Sequence, residues 1–369
     1  MVGSTGGRSA EVSSKLGVVR GACASAGLAA VRLRGVDWFA WATAGGSNAV
    51  LLAAEVGVAE VLVTADGVWV LTDEIEADRL AEEEVPDGLE VWAAPWATPA
   101  ARAAFVAEQV GAGAVASDRP EGGEVALPGA LIAARWSLCA DEVRRAQVLC
   151  SDAAEVATEV LLAASPTWTG HELAGAAAQG LWERGIHPAL TLVGDERRLP
   201  RFRHATARAE PLGGLAMLVL CGRRHGLFAN LTRFVAFRTL TTGERERQAA
   251  TIAVEAAALG ASVPGATLGE VYATIVEAYA EAGHPGAERH HHQGGPCGYL
   301  SRDELARPGG AAVLYERNAL AWNPSLPSAK VEDTALTSTA EGIEVLTIDP
   351  RWPTVPGPLL PRPDVLDRT

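Results

Sequence analysis

The first third of the chain carries short apolar runs separated by turn residues. Leu16 to Gly27 has helical spacing and stops at a glycine, and Ala29 to Arg34 reads as a strand. Val61–Thr64 and Val68–Thr72 flank Asp66-Gly67, the pattern of a β-hairpin, because an Asp-Gly pair supplies the positive φ a tight turn needs. Val91-Trp92 and Ala114–Ala116 add strand candidates, with a helix over 99–110 between them. Glu74–Glu84 is acidic and helix-prone, the pattern of a solvated face. Residues 1–15 are polar and Gly/Ser-rich and predict a flexible N-terminus, so the first α/β domain is expected over 16–136.

Beyond Arg135 the apolar spacing lengthens. Asp141–Ala164 predicts a long helix ended by Ser165-Pro166, since proline cannot continue the helical ladder. Thr169-Gly170-His171-Glu172 and Thr267-Leu268-Gly269-Glu270 fit capping boxes that open the next helices. Glu244–Ala258 predicts another helix. Ala189–Gly194, Met217–Cys221, Leu231–Leu240, Ala311–Leu314, Ala319–Trp322 and Ile343–Thr347 predict strands. A second domain is expected over 137–348, followed by a proline-rich, extended tail over 349–369.

Composition narrows the function classes. With 369 residues, 48% hydrophobic and 21% charged, the chain has ample material for a core. A formal charge of -14 disfavours nucleic acid and anionic membrane as partners. Five scattered cysteines without a CxxC pair read as reduced thiols, which with the lack of a signal or anchor pattern predicts a cytoplasmic protein.

Candidate chemistry concentrates in Arg289-His290-His291-His292-Gln293-Gly294-Gly295-Pro296-Cys297-Gly298-Tyr299, which holds three of the eight histidines. A histidine run can serve metal binding or proton transfer, and equally a solvated loop. Gly194 enters a loop with Arg197, Arg198, Arg201, Arg203 and His204, either an anion-binding rim or surface charge.

The order helix, capping box, Gly194…His204, strand, Asn230-Leu231-Thr232-Arg233, helices, His-x-x-Gly, Asn323-Pro324, Glu332-Asp333-Thr334 resembles the creatinase/aminopeptidase P/methionine aminopeptidase (M24) family. The resemblance covers about residues 140–348. It implies an α+β architecture: a pita-bread C-terminal domain preceded by a creatinase-type α/β N-terminal domain. It also implies a homodimer. Most members are dinuclear metallohydrolases whose two aspartates, one histidine and two glutamates bridge hard divalent ions.

This sequence departs from that ligand set. Asn230 stands where the second aspartate belongs, and Asn323 where the first glutamate precedes a Pro-Gly. The first aspartate falls at Val219 or Cys221, and no Asp or Glu occurs between Glu210 and Glu244. Glu332 is retained, and both His291 and His292 satisfy His-x-x-Gly, with His292 preferred because Tyr299 then takes the place of a substrate-contacting histidine. His204 matches an active-site histidine of aminopeptidase P-like members.

These residues imply an M24-like hydrolase acting on a small C–N substrate, such as an Xaa-Pro dipeptide, amide or amidine, without the dinuclear centre and with no cofactor expected. His292, His204 and Glu332 are the expected catalytic groups. His291, Asn230, Asn323, Tyr299 and Arg203 are the expected substrate contacts. A single zinc on Cys221, His292 and Glu332 is a chemically admissible alternative. The other alternative is a non-catalytic ligand- or protein-binding pseudoenzyme on the same fold.

Overall fold

The computed structural model describes residues 5–369, and they divide into two compact units: residues up to Arg135 with 140–142, and 136–139 with 143–369. Each is described separately.

The first unit holds α1 (Thr5–Ala26), β1 (Ala30–Gly35), α2 (Val36–Ala42), β2 (Val56–Thr64), β3 (Val68–Asp73), α3 (Ala77–Arg79), β4 (Glu90–Ala94), α4 (Pro99–Val110), β5 (Val115–Ser117) and β6 (Val125–Ala126). Its six-stranded sheet runs β4-β3-β2-β1-β5-β6. The Asp66-Gly67 hairpin forms, with Val61 opposite Val70 and Val63 opposite Val68. Trp69, Trp92 and Phe105 pack on buried Ala30, Leu62, Leu71 and Val106, the stacked pair Trp92–Phe105 having ring centroids 4.6 Å apart.

Two expectations fail in this unit. The first helix starts at Thr5, so 5–15 is not a flexible segment; Val12 is 3% exposed and Leu16 6%, which anchors that stretch by burial. Residues 1–4 lie outside the described residues. Glu74–Glu84 is not one helix but a turn, the short α3 and a π-turn over Leu80–Glu84.

The α5 helix (Gly129–Trp136) leads to α6 (Ala140–Ala163), α7 (Gly170–Glu183), β7 (His187–Gly194), β8 (Leu215–Arg224), β9 (Leu227–Ala236), α8 (Thr242–Ala261) and α9 (Leu268–Glu281). The strands that follow are β10 (Gly294–Pro296), β11 (Ala319–Trp322), β12 (Ser325–Leu326), β13 (Ala329–Lys330), β14 (Asp333–Ser338) and β15 (Gly342–Val345). Last come β16 (Thr354–Val355), β17 (Arg362–Pro363) and β18 (Leu366–Asp367). The second unit is built on two four-stranded sheets, β18-β9-β8-β7 and β10-β11-β14-β15. Thr232 of β9 bridges to Glu332 just before β14, so the two sheets meet at that point.

The helices of this unit start where their sequence dictates. Thr169/Glu172 and Thr267/Glu270 form reciprocal capping boxes, as does Thr241/Glu244, which the strand-like run before it obscured. The α8 and α9 helices bury Val254, Ala258, Val271, Ile275 and Tyr279 against Leu320, Trp322 and Ala335 of the sheet. Ala311–Leu314 is not a strand; only Val313 makes a bridge, to Thr267. The tail is part of this unit rather than an appendage, because β18 pairs in parallel with β9 and Arg362 is 2% exposed. No helix among the described residues is long and apolar enough to cross a membrane.

Candidate functional site

The site lies in the second unit, where the loop before β8, strand β9, the segment 291–302 and the β12–β14 stretch converge. His204 closes the loop that follows β7, and His291 begins the extended segment after α9. Their Nε2 atoms are 2.9 Å apart, and the His291 and His292 rings stack with centroids 4.4 Å apart. One ring nitrogen from each of His204, His291 and His292 lies within 4.8 Å of the others. Both histidines of the sequence register therefore reach the site. His291, held as the alternative, makes the contact with His204.

The tautomers follow from the partners. His291 Nδ1 lies 2.5 Å from the His292 carbonyl oxygen, which can only accept, so Nδ1 carries the hydrogen. In the neutral ring His291 Nε2 then accepts, and His204 Nε2 donates to it. His204 Nδ1 is left as a lone pair on an exposed side chain. Burial, with Lys330 and the two neighbouring imidazoles next, pushes His291 down to about 3. Burial, then Arg302, His204 and Lys330, pushes His292 down to about 4. Burial and then Lys330 also lower His204, with Glu332 opposing them. At neutral pH the cluster is uncharged.

Glu332 is 2% exposed and both of its oxygens are engaged. Arg302 Nη2 donates to Oε1 at 2.6 Å, while Lys330 Nζ and Thr232 Oγ1 reach Oε2 at 2.9 and 2.8 Å. Burial alone would raise this carboxyl; Lys330 and Arg302 outweigh it and hold Glu332 far below the usual carboxylate range. Sequence reasoning missed Lys330, Arg302 and Thr232. Lys330 stands two residues before Glu332, a spacing that puts both on one face of an extended chain, and that was the available signal.

The two asparagines are buried, Asn230 at 0% and Asn323 at 2% exposure. Neither side-chain polar atom of Asn230 has a hydrogen-bond partner, nor does Asn323 Oδ1 or His292 Nδ1. Such groups cost roughly 1–3 kcal/mol each when buried unpaired, so their concentration here marks a place that water or a ligand completes. Tyr299 is 1% exposed, and Arg203 is half-buried. Cys221 lies across β8–β9 from Asn230, its thiol pushed up to about 12 by burial and then Glu332.

The residues present do not fit the family's dinuclear centre. Bridging two hard ions needs anionic oxygens, and the carboxylate that remains is saturated by two side-chain cations. The alternative zinc set also fails to assemble: among the described residues Cys221, His292 and Glu332 do not form a cluster with donors within 4.8 Å. The cluster that does form, His204/His291/His292, is flanked by Lys330 and Arg302, whose charge opposes a dication.

The description "metallopeptidase family M24" matches residues 141–338, more than half of the chain. The chain belongs to that family. Membership supports a peptidase-like hydrolase, and the M24 chain has the pita-bread C-terminal domain preceded by an N-terminal α/β domain. It is similar to dipeptidase PepE from Mycobacterium ulcerans, at 18% identity and TM-score 0.77, covering 97% of this chain and 98% of that one. It is similar to an Xaa-Pro dipeptidase from Bacillus anthracis, at 15% identity and TM-score 0.76, over 96% and 99%. The N-terminal domain of FACT complex subunit SPT16 from chickpea (Cicer arietinum) also shares the fold, at 11% identity and TM-score 0.65, over 92% and 96%. Comparison with functionally curated proteins gives no match.

Proposed function

We propose that this M24 protein hydrolyses a small C–N substrate, an Xaa-Pro dipeptide, amide or amidine, without the dinuclear metal centre. The observation that supports this reading best is the His204–His291 pair at 2.9 Å beside buried polar atoms that lack partners. His204 Nδ1 is the exposed lone pair and accepts a proton from a water attacking the substrate carbon. The resulting imidazolium keeps its Nε2–H bond to His291, which is oriented in turn by the His292 carbonyl. The same proton returns to the leaving nitrogen, as general acid–base catalysis requires. In this reading Asn230 Nδ2, buried without a partner, is the donor to the developing oxyanion, with the Arg302 and Lys330 cations on Glu332 adding positive potential.

The ligand-binding alternative draws on one observation: imidazoles held at about 3 and 4 are weak bases. A screen of Xaa-Pro dipeptides, small amides and guanidino compounds, with and without chelator, separates the two. Turnover that survives chelator and disappears in His204→Ala supports the hydrolase; turnover abolished by chelator overturns it. Binding without turnover favours the second reading. In either case a homodimer in the cytoplasm with no nucleic-acid or membrane partner remains our expectation.

A further inference from the structure

Three polar atoms on the face that carries Glu332 are buried without a hydrogen-bond partner: Asn230 Nδ2, Asn230 Oδ1 and Asn323 Oδ1. Strand register puts them on that face. Trp322 pairs with Asp333 across β11 and β14, and both lie toward α8, where Trp322 bonds Ser262 and the Arg362 that holds Asp333 also bonds Glu255. Asn323 and Glu332, the next residue along and the one before, therefore face the other way. Thr232 bridges to Glu332 and donates to its Oε2 at 2.8 Å, and Asn230 stands two residues from Thr232 on the same side of β9. After burial, the charges acting on the Cys221 thiol opposite Asn230 are Glu332, Arg302 and Lys330, as this placement requires. The Asn230 backbone is held on both sides by the Thr334 hydroxyl, at 2.8 and 3.0 Å, so only its side-chain amide is left open.

One donor and two acceptors are the complement of a primary carboxamide, whose carbonyl accepts and whose NH2 donates twice. We propose that the site takes a neutral primary carboxamide, R–CO–NH2, read by Asn230 and Asn323, and hydrolyses it to the carboxylic acid and ammonia. The inference rests on the hydrolytic reading above and selects among its substrates. Charge separates this class from its cationic look-alikes. Lys330 and Arg302 share the Glu332 carboxylate, so that bonded cluster carries one net positive charge. The imidazoles nearby add none at neutral pH. An amidinium or guanidinium offers only N–H donors, so it leaves Asn230 Nδ2 unmatched and sets a cation beside Lys330. In the reaction, the water oxygen bonds to the carbonyl carbon and its proton passes to His204 Nδ1. The C–N bond breaks as that proton reaches the leaving nitrogen, which departs as ammonia and leaves the acid.

Ligand-observed NMR titration of the full chain with isobutyramide, N,N-dimethylisobutyramide and isobutyramidine tests this, together with an assay of ammonia release. The three share one alkyl group and differ in N–H donors and charge. Expected is binding of isobutyramide with release of ammonia, and at least tenfold weaker binding of the other two. Asn230→Asp puts an anionic acceptor in place of the amide donor and should reverse the order, with the amidine bound at least tenfold better than the amide. No binding of isobutyramide, equal affinity for it and either analogue, or an unchanged order in Asn230→Asp would each overturn the proposal. Isobutyramide bound without ammonia release would overturn the hydrolysis and leave a carboxamide-binding site. Turnover of an Xaa-Pro dipeptide or an amidine, with isobutyramide unbound, would overturn the carboxamide and leave the hydrolase.

Discussion

Glu332 and Asp333 are consecutive residues, yet they serve two different environments, because neighbours along an extended chain face opposite sides. Asp333 faces a closed ion network. Arg362 donates to Glu255 at 2.6 and 2.7 Å and to Asp333 at 2.6 Å, Arg233 reaches Asp333 at 2.8 Å, and Thr347 adds a bond of 2.6 Å. There, two cations balance two carboxylates. On the Glu332 side two cations share one carboxylate, and several amide and imidazole atoms have no partner. The first region is finished by the protein itself and ties the C-terminal tail to the fold. The second is left incomplete, which costs stability and is the physical mark of a place made for something else.

This contrast orders the expected effects of substitution. Arg362→Leu strands buried Glu255 and leaves Asp333 with Arg233 as its cation, and should cost about 3–5 kcal/mol in urea unfolding. A loss below about 1 kcal/mol would mean the network is not closed as described. Glu332→Gln strands Lys330 and Arg302 beside a cavity that admits water, so the loss should be smaller, about 2–3 kcal/mol by the same measurement.

Acid should weaken the Glu332 side first. His291 is pushed down to about 3 in the fold but titrates near 6.5 when unfolded. Below pH 6.5 the unfolded chain therefore binds the proton that the folded chain refuses, and stability falls as pH falls toward 3. Between pH 6.5 and 5 the loss from this residue is roughly 2 kcal/mol, since each pH unit is worth about 1.4 kcal/mol. His291→Gln should flatten that slope, and an unchanged slope would contradict the neutral cluster. The smallest effect on stability belongs to Asn230→Leu. Removing atoms that have no partner should change unfolding by less than about 1 kcal/mol while abolishing ligand binding or turnover. A large destabilisation there would mean Asn230 is structural.

Much of the architecture was legible because it rests on local rules. The Asp66-Gly67 hairpin and the Thr169 and Thr267 capping boxes follow from a few residues each. The tail was harder: its role depends on Arg362 meeting Glu255, more than a hundred residues away in sequence, which no local pattern announces. In the site, the lost carboxylates were visible as Asn230 and Asn323, and as the acid-free stretch between Glu210 and Glu244. What replaced them was not. Lys330 and Arg302 read as ordinary polar residues, since sequence shows their charge but not that Lys330 is 4% exposed and ion-paired to Glu332. The choice between His291 and His292 likewise needed coordinates, because adjacent histidines satisfy the same spacing.

We propose that this M24 site has exchanged metal ions for side-chain cations. The most direct test is elemental analysis of the protein, and of an Asn230→Asp/Asn323→Glu variant, after equilibration with Mn²⁺, Co²⁺ or Zn²⁺ and gel filtration. The expected result is well under two equivalents for both, because Lys330 and Arg302 still hold Glu332 when the other carboxylates return. Two equivalents on the natural sequence would contradict it.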